Sequence, residues 1–270
     1  SEKMEMQISI NKVRLAFPLD LAVHRMTAIE KGDTLIHANH VRLNVKLLPL
    51  FQGRADIEGV EVYGLKLDTK SYISDTHIVG TAQELTASAH GVDWQKEIVN
   101  VNHVKLRNAD VNVVLSDTAQ KDTTQSKAKW NIGVAKADIE NSKVHLQMPG
   151  DSMRIFANIG KAALRGGIFD IRKNYYAVKR FNLQRSAANY DLPYKQPVSG
   201  MDVNHLALTH LSARIDTLSY NADGVLRVGV RNLTLKEKCG LHVTHLLGSI
   251  YMDSTQLRVP KLQLHTTASR

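Results

Sequence analysis

Between His37 and Asp68 the chain alternates. Val41, Leu43, Val45 and Leu47 are separated by Arg42, Asn44 and Lys46. A period of two places one set of side chains on one side of an extended strand and the other set opposite, whereas a helix needs apolar residues at i, i+3 and i+4. Pro49, Gln52 and Gly53 interrupt the pattern, because proline lacks the ladder N–H and glycine permits a tight reversal. Alternation resumes at Ile57, changes phase near Gly64 and continues through Leu65 and Leu67. A glycine at which the phase slips by one reads as a β-bulge.

The rest of the chain repeats this unit. Val99, Val101, Val104 and Leu106 lead to a predicted turn at Asn108-Ala109-Asp110, with Val111, Val113 and Leu115 returning. Trp130, Ile132 and Val134 precede a predicted turn at Asn141-Ser142 and a strand through Val144 and Leu146; Gly166-Gly167, Lys173-Asn174 and Pro149-Gly150-Asp151 also read as turns. Ala82 to Ala89 fits either a short helix or a poor strand. Later segments include Leu206–Leu208, Leu211–Ile215, Leu226–Leu235 and Val243–Met252. The reading is roughly eighteen short strands joined by tight turns, which favour antiparallel neighbours. Asn39-His40-Val41-Arg42-Leu43, Asn102-His103-Val104-Lys105-Leu106 and Asn204-His205-Leu206-Ala207-Leu208 share one pattern at unequal spacing, a recurrent strand entry and not a solenoid repeat.

Hydrophobic residues make up 43% of the 270 and aromatics only 6%, so aliphatic side chains must supply the apolar surface. The net charge of +9 is spread along the chain with no Lys/Arg run of the kind that marks a nucleic-acid patch. Cys239 is the one cysteine, which rules out an internal disulfide. No apolar run approaches the ~18 residues of a membrane-spanning helix. The polar start and the end at Thr266 to Arg270 read as cuts in a longer chain. Ser116 to Lys129 is the one segment of low hydrophobicity, a mobile loop or weak boundary within a single unit spanning 1–270.

Catalytic signatures are missing: there is no G-x-S-x-G, no G-x-G-x-x-G, no P-loop and no C-x-x-C. His205, His210, His242 and His245 lack the Cys or carboxylate set that would complete a zinc site, and no cofactor is expected. Asp202, Asp216 and Glu237 read as strand-end residues that organise turns. The residues alone leave three architectures open. One is an apolar-faced sheet curled into a trough, one a closed β-sandwich serving as scaffold or adhesin, and one a β-helix enzyme acting on acidic polysaccharide.

Leu47-Leu48-Pro49-Leu50-Phe51-Gln52-Gly53, Ile57-Glu58-Gly59-Val60 and Leu65-Lys66-Leu67-Asp68 resemble the start of AsmA-like proteins. Met201 to Leu206, Ile215 to Tyr220, Leu235 to Leu241 and Met252-Asp253-Ser254 resemble the N-terminal half of TamB-type translocation and assembly module proteins. The resemblance implies a periplasmic, non-enzymatic β-groove, anchored to the bacterial inner membrane by an N-terminal segment outside this chain. It implies an outer-membrane barrel partner reached through a C-terminal domain also outside it. The implied activity is carriage of phospholipid acyl chains, or assistance in outer-membrane protein assembly.

On this reading the fold is an elongated, mostly antiparallel sheet curled into an open hydrophobic groove. The expected lining is Val41, Leu43, Val45, Val104, Leu106, Val111, Val113, Ile132, Val134, Leu206, Leu208, Val228 and Val230. Arg42, Lys46, Lys105 and Arg107 belong outside or on the rim, where cations can meet lipid phosphates.

Overall fold

The computed structural model describes residues 7–16, 20–30, 32–45, 57–70, 76–93, 97–115 and 131–268. They form one open sheet of 14 strands, mostly antiparallel and not closed into a barrel. The strands are β1 (Gln7–Ala16), β2 (Asp20–Glu30), β3 (Asp33–Val45), β4 (Ile57–Asp68), β5 (Thr76–Asp93), β6 (Ile98–Leu115) and β7 (Asn131–Gln147). They continue with β8 (Arg154–Asp170), β9 (Tyr175–Asp191), β10 (His205–Tyr220), β11 (Leu226–Glu237), β12 (His242–Met252), β13 (Leu257–Arg258) and β14 (Gln263–Thr266). Each strand lies beside its successor up to β13, and β14 pairs with β12. This is neither a sandwich of two sheets nor a coil of parallel strands.

One junction departs from the meander. β6 and β7 run parallel, Leu106 opposite Ile139 and Val111 opposite Val144. Parallel neighbours need a connection of about a dozen residues or more, and the polar stretch 116–130 between these two strands is long enough to supply it. The expected loop at Ser116 to Lys129 lies outside the described residues. The sheet continues without a break on either side of it.

The strands are fewer and longer than the alternation suggests, because several apparent turns are kinks inside one strand. Asn108 (φ +47), Asn141 (φ +48) and Gly166 (φ +64) sit within β6, β7 and β8, so the expected turns at 108–110, 141–142 and 166–167 do not reverse the chain. Ala82 to Ala89 is extended, inside the 18-residue β5. Expected turns at Pro149–Asp151 and at Lys173-Asn174 are present.

These kinks line up. Arg25 in β2, Gly64 in β4, Asn108 in β6, Asn141 in β7, Arg185 in β9 and His210 in β10 all have positive φ. They sit opposite or beside one another across the sheet; Asn39, for example, faces both Arg25 and Gly64, and the ladders skip all three. Glycine and asparagine adopt this left-handed conformation most readily. Gly64 has a second reason: a Cβ there would occupy the Asn39 side-chain amide. The phase change at Gly64 is therefore real, but β4 carries no extra residue, because its neighbours break phase at the same level.

Alanine dominates the buried positions. Ala28, Ala38, Ala82, Ala109, Ala162 and Ala213 are buried alongside Val23, Leu35, Val41, Val62, Val178 and Val243. Ala38, Ala82 and Ala109 are successive neighbours of the line of kinks. Larger aliphatics such as Leu43, Leu85, Leu106 and Ile139 remain only half-buried. A second sheet packed at ~10 Å would cover them fully; among the described residues there is none.

Candidate functional site: an aliphatic trough

Strand register builds the site. Residues paired across neighbouring strands point to the same face. Val13, Val23, Val41, Val62, Leu85, Leu106 and Ile139 form one unbroken line of partners from β1 to β7. Ala162, Leu183, Ala213, Leu233, Leu246 and Leu264 carry it on to β14. Every position in that line is aliphatic. A second line runs Leu15, Leu21, Leu43, Val60, Ala87, Val104, Ala137, Leu164, Phe181, Ile215 and Val230.

The kinks keep the apolar residues on one side. In β3, Ala38 and Val41 are both buried although three apart, with Asn39 exposed between them. Ala38 packs with Val23, Val41 and Val62, and Met26 and Leu65 join them from the same side of the kink as Ala38. Beyond the kink, Ala28, Ile36, Leu67, Gly80, Val111, Val144, Ala157, Ala188 and Leu208 make a third line. A second phase change at Gly166 acts likewise at the other end. Leu164 and Phe169 both contact the place where a Gly167 Cβ would sit, so residues before and after Gly166 share a face. From there Val101, Val134, Gly167, Val178, Leu218, Val228 and Ile250 form a fourth line.

The opposite face is polar and charge-paired. Lys12, His24, His40, Tyr63, Glu84, Arg107, Glu140, Lys161 and Gln184 are successive partners. Arg107 bridges Glu84 (3.3 Å) and Glu140 (2.9 Å), and Lys105 reaches Glu84 at 3.0 Å. Asp138 accepts from Arg165 (2.8 Å), lies 2.8 Å from His103 Nε2 and 3.3 Å from Lys136 Nζ. Burial alone would raise its pKa, but the bonds from Arg165, His103 and Lys136 outweigh this and hold it at about 2.

The expected lining residues whose side chains are described lie on the apolar face of the sheet. Val41, Leu43, Val104, Leu106 and Val230 occupy the first two lines, Val111 and Leu208 the third, and Val134 and Val228 the fourth. Val113 pairs with Leu146 and Ile78, Leu206 with Tyr190, and Ile132 with Val99 and Phe169. Val45 pairs through its backbone with Ile57, and its side chain lies outside the described residues. Among the expected outer cations, Lys46 is also outside them. Arg42, Lys105 and Arg107 are on the polar face, but at mid-sheet and engaged with Glu61, Glu84 and Glu140, not on a rim.

No family model matches this chain, and no curated protein matches it.

The polar candidates do local work. Asp202 is buried and accepts from the amides of Val198 and Asn204, both at 3.0 Å, with His205 Nδ1 at 2.8 Å. Glu237 is buried and accepts from the amides of Ala207 (3.1 Å) and Cys239 (2.6 Å). Asp216 pairs with Arg231. His210 lies 3.3 Å from Thr209 and His245 bonds Asn232, so His205, His210 and His245 each have a different partner.

Sequence reasoning missed Leu85, Ala87, Ala162, Leu183 and Ala213 as members of the apolar lines. The phase change explains it. In β5 the inward residues on either side of the kink, Ala82 and Leu85, are three apart, which imitates helical spacing. The usable signal was Asn or Gly at several of the phase changes, Gly64, Asn108 and Asn141 among them.

Proposed function

We propose that this chain is a length of conduit for acyl chains, a trough through which phospholipid moves with its tails against the sheet. The observation that supports the reading is the set of apolar lines, one of them wholly aliphatic, on a sheet face that no other described residues cover. Twelve inter-strand steps at ~4.8 Å give a face about 58 Å long, and a 17-residue strand at ~3.3 Å per residue gives about 56 Å across before kinking. Ordinary monomers expose apolar patches of only a few hundred Å². Each CH₂ withdrawn from water contributes ~0.8 kcal/mol, so a 16-carbon chain needs about 13 kcal/mol of shelter. A surface of Val, Leu, Ile and Ala resembles the bilayer interior, which keeps passage along it nearly level in free energy.

The resemblance to AsmA-like and TamB-type proteins favours a periplasmic bridge, tethered to the inner membrane and meeting an outer-membrane barrel protein through segments outside this chain. Organic extraction of the purified protein followed by mass spectrometry tests the reading. Phospholipid in the extract is the expected result. A stable protein that is repeatedly lipid-free overturns it, as does failure of photo-crosslinkers at Leu43 and Leu208 to capture lipid in cells.

A further inference from the structure

Strand β1 is an edge of the sheet among the described residues. Its apolar side is open: Ile8, Ile10, Val13 and Leu15 are 61, 42, 52 and 70% exposed, although their partners Ala28, Met26, Val23 and Leu21 are buried or half-buried. Its polar side carries Lys12 and Arg14, which face His24 and Ala22 on β2. Among the described residues no carboxylate pairs with either cation. The interior strands follow another rule, in which a cation on one strand meets a carboxylate on the next: Arg42 with Glu61, Arg107 with Glu84 and Glu140, Arg165 with Asp138. His24 is held below its ordinary pKa by burial and then by the positive charge of His40, Arg14 and Lys12.

We infer that the β1 edge is a docking site for an extended polypeptide strand with aliphatic residues at alternate positions and carboxylates between them. The backbone groups on the far side of β1 supply the ladder. Ile8, Ile10, Val13 and Leu15 gain apolar neighbours, and Lys12 and Arg14 gain the opposite charges that interior cations already have. Opposite-charge cross-strand pairs stabilise and like-charge pairs do the reverse. A second copy fits poorly in either arrangement. Two β1 strands side by side bring Lys12 and Arg14 against their own kind, the usual protection of an edge from self-pairing. The strand at the other end, β14, places Gln263 and His265 on its polar side and offers no carboxylate. The inference is independent of the lipid reading.

A ten-residue peptide alternating valine with glutamate, and its counterpart with lysine, test this on the 270-residue chain. The glutamate peptide is expected to bind about tenfold tighter, as two cross-strand charge pairs allow, and to slow hydrogen exchange of β1 amides. The double variant Lys12→Glu/Arg14→Glu is expected to reverse the preference. Circular dichroism of the variant shows whether the sheet is retained, and the peptide comparison on the unmodified chain stands without it. Equal affinity for the two peptides, no binding of either, or protection of β6 and β7 in place of β1 overturns the inference. So does concentration-dependent dimerisation that protects β1 without peptide, which would assign the edge to a second copy.

Discussion

Ser142 and Ser186, two strands apart, make the same pair of hydrogen bonds. Ser142 donates to the Glu140 carbonyl (2.9 Å) and accepts the Ala109 amide (3.2 Å); Ser186 donates to the Gln184 carbonyl (2.9 Å) and accepts the Gly160 amide (3.2 Å). Each follows a positive-φ residue, Asn141 or Arg185. The left-handed residue removes its own groups from the ladder, and the next hydroxyl takes over, satisfying a neighbouring amide that would otherwise be stranded.

Both serines are buried, so removing either hydroxyl leaves an amide unpaired away from water. Ser142→Ala and Ser186→Ala are each expected to destabilise the chain by about 1–3 kcal/mol. Urea unfolding followed by circular dichroism reads this as a lower midpoint with an unchanged slope.

Gly64 and Asn39 make a second coupled pair at the same level. Gly64→Ala adds a Cβ to a residue at φ +65 and drives it into the Asn39 amide. The expected cost is about 2–3 kcal/mol, combining left-handed strain with the clash. In an Asn39→Ala background the clash largely goes and the cost should fall towards ~1 kcal/mol, the strain alone. A double-mutant cycle measures the difference; equal costs in the two backgrounds would mean that the contact carries no energy.

The class of this fold is written in its alternation, and so are many positions of its apolar face, because a half-buried strand needs period two. What the alternation hides is continuity. Asn108-Ala109-Asp110 has turn composition, yet β6 passes straight through it with only Asn108 left-handed. Asparagine serves turns and kinks through the same tolerance of positive φ, so composition does not separate them; the neighbouring strands do, by breaking phase at the same level. Arg25, Arg185 and His210 also adopt positive φ. Nothing in their residue types marks them, since their conformation is imposed by the strands on either side. The parallel junction of β6 and β7 was half legible, as a long polar connection without its consequence for strand direction.

Asp138 gives the sheet an acid limit. Its carboxyl is held at about 2 against an ordinary value of 3.8. A depressed folded-state pKa means a contribution fully present above the unfolded value and lost as pH falls towards the folded one. Stability is therefore expected to drop between pH 3.8 and about 2 as the ties to Arg165, His103 and Lys136 are lost. Asp138→Asn should lower stability near pH 6 and flatten that acid slope. Denaturant unfolding at a series of pH values checks both, and an unchanged slope in the variant would assign the acid sensitivity to other carboxylates.

Lys105 and Leu106 are adjacent in β6 and face opposite sides of the sheet. Lys105 reaches Glu84 on the charged face, while Leu106 lies between Leu85 and Ile139 in the aliphatic line. Leu106 is half-buried, so an arginine there can extend into the open trough without dismantling the strand. Loss of contact with about three methylenes at ~0.8 kcal/mol each comes to about 2.4 kcal/mol, roughly a fiftyfold fall in lipid occupancy. If the chain holds acyl chains as proposed, Leu106→Arg is expected to leave the circular dichroism spectrum intact and strip most of the phospholipid that co-purifies. Lys105→Gln, one residue away on the other face, should change stability by no more than about 1 kcal/mol and leave the lipid content untouched. Mass spectrometry of solvent extracts from the two variants decides it: equal lipid in both would remove Leu106 from the path.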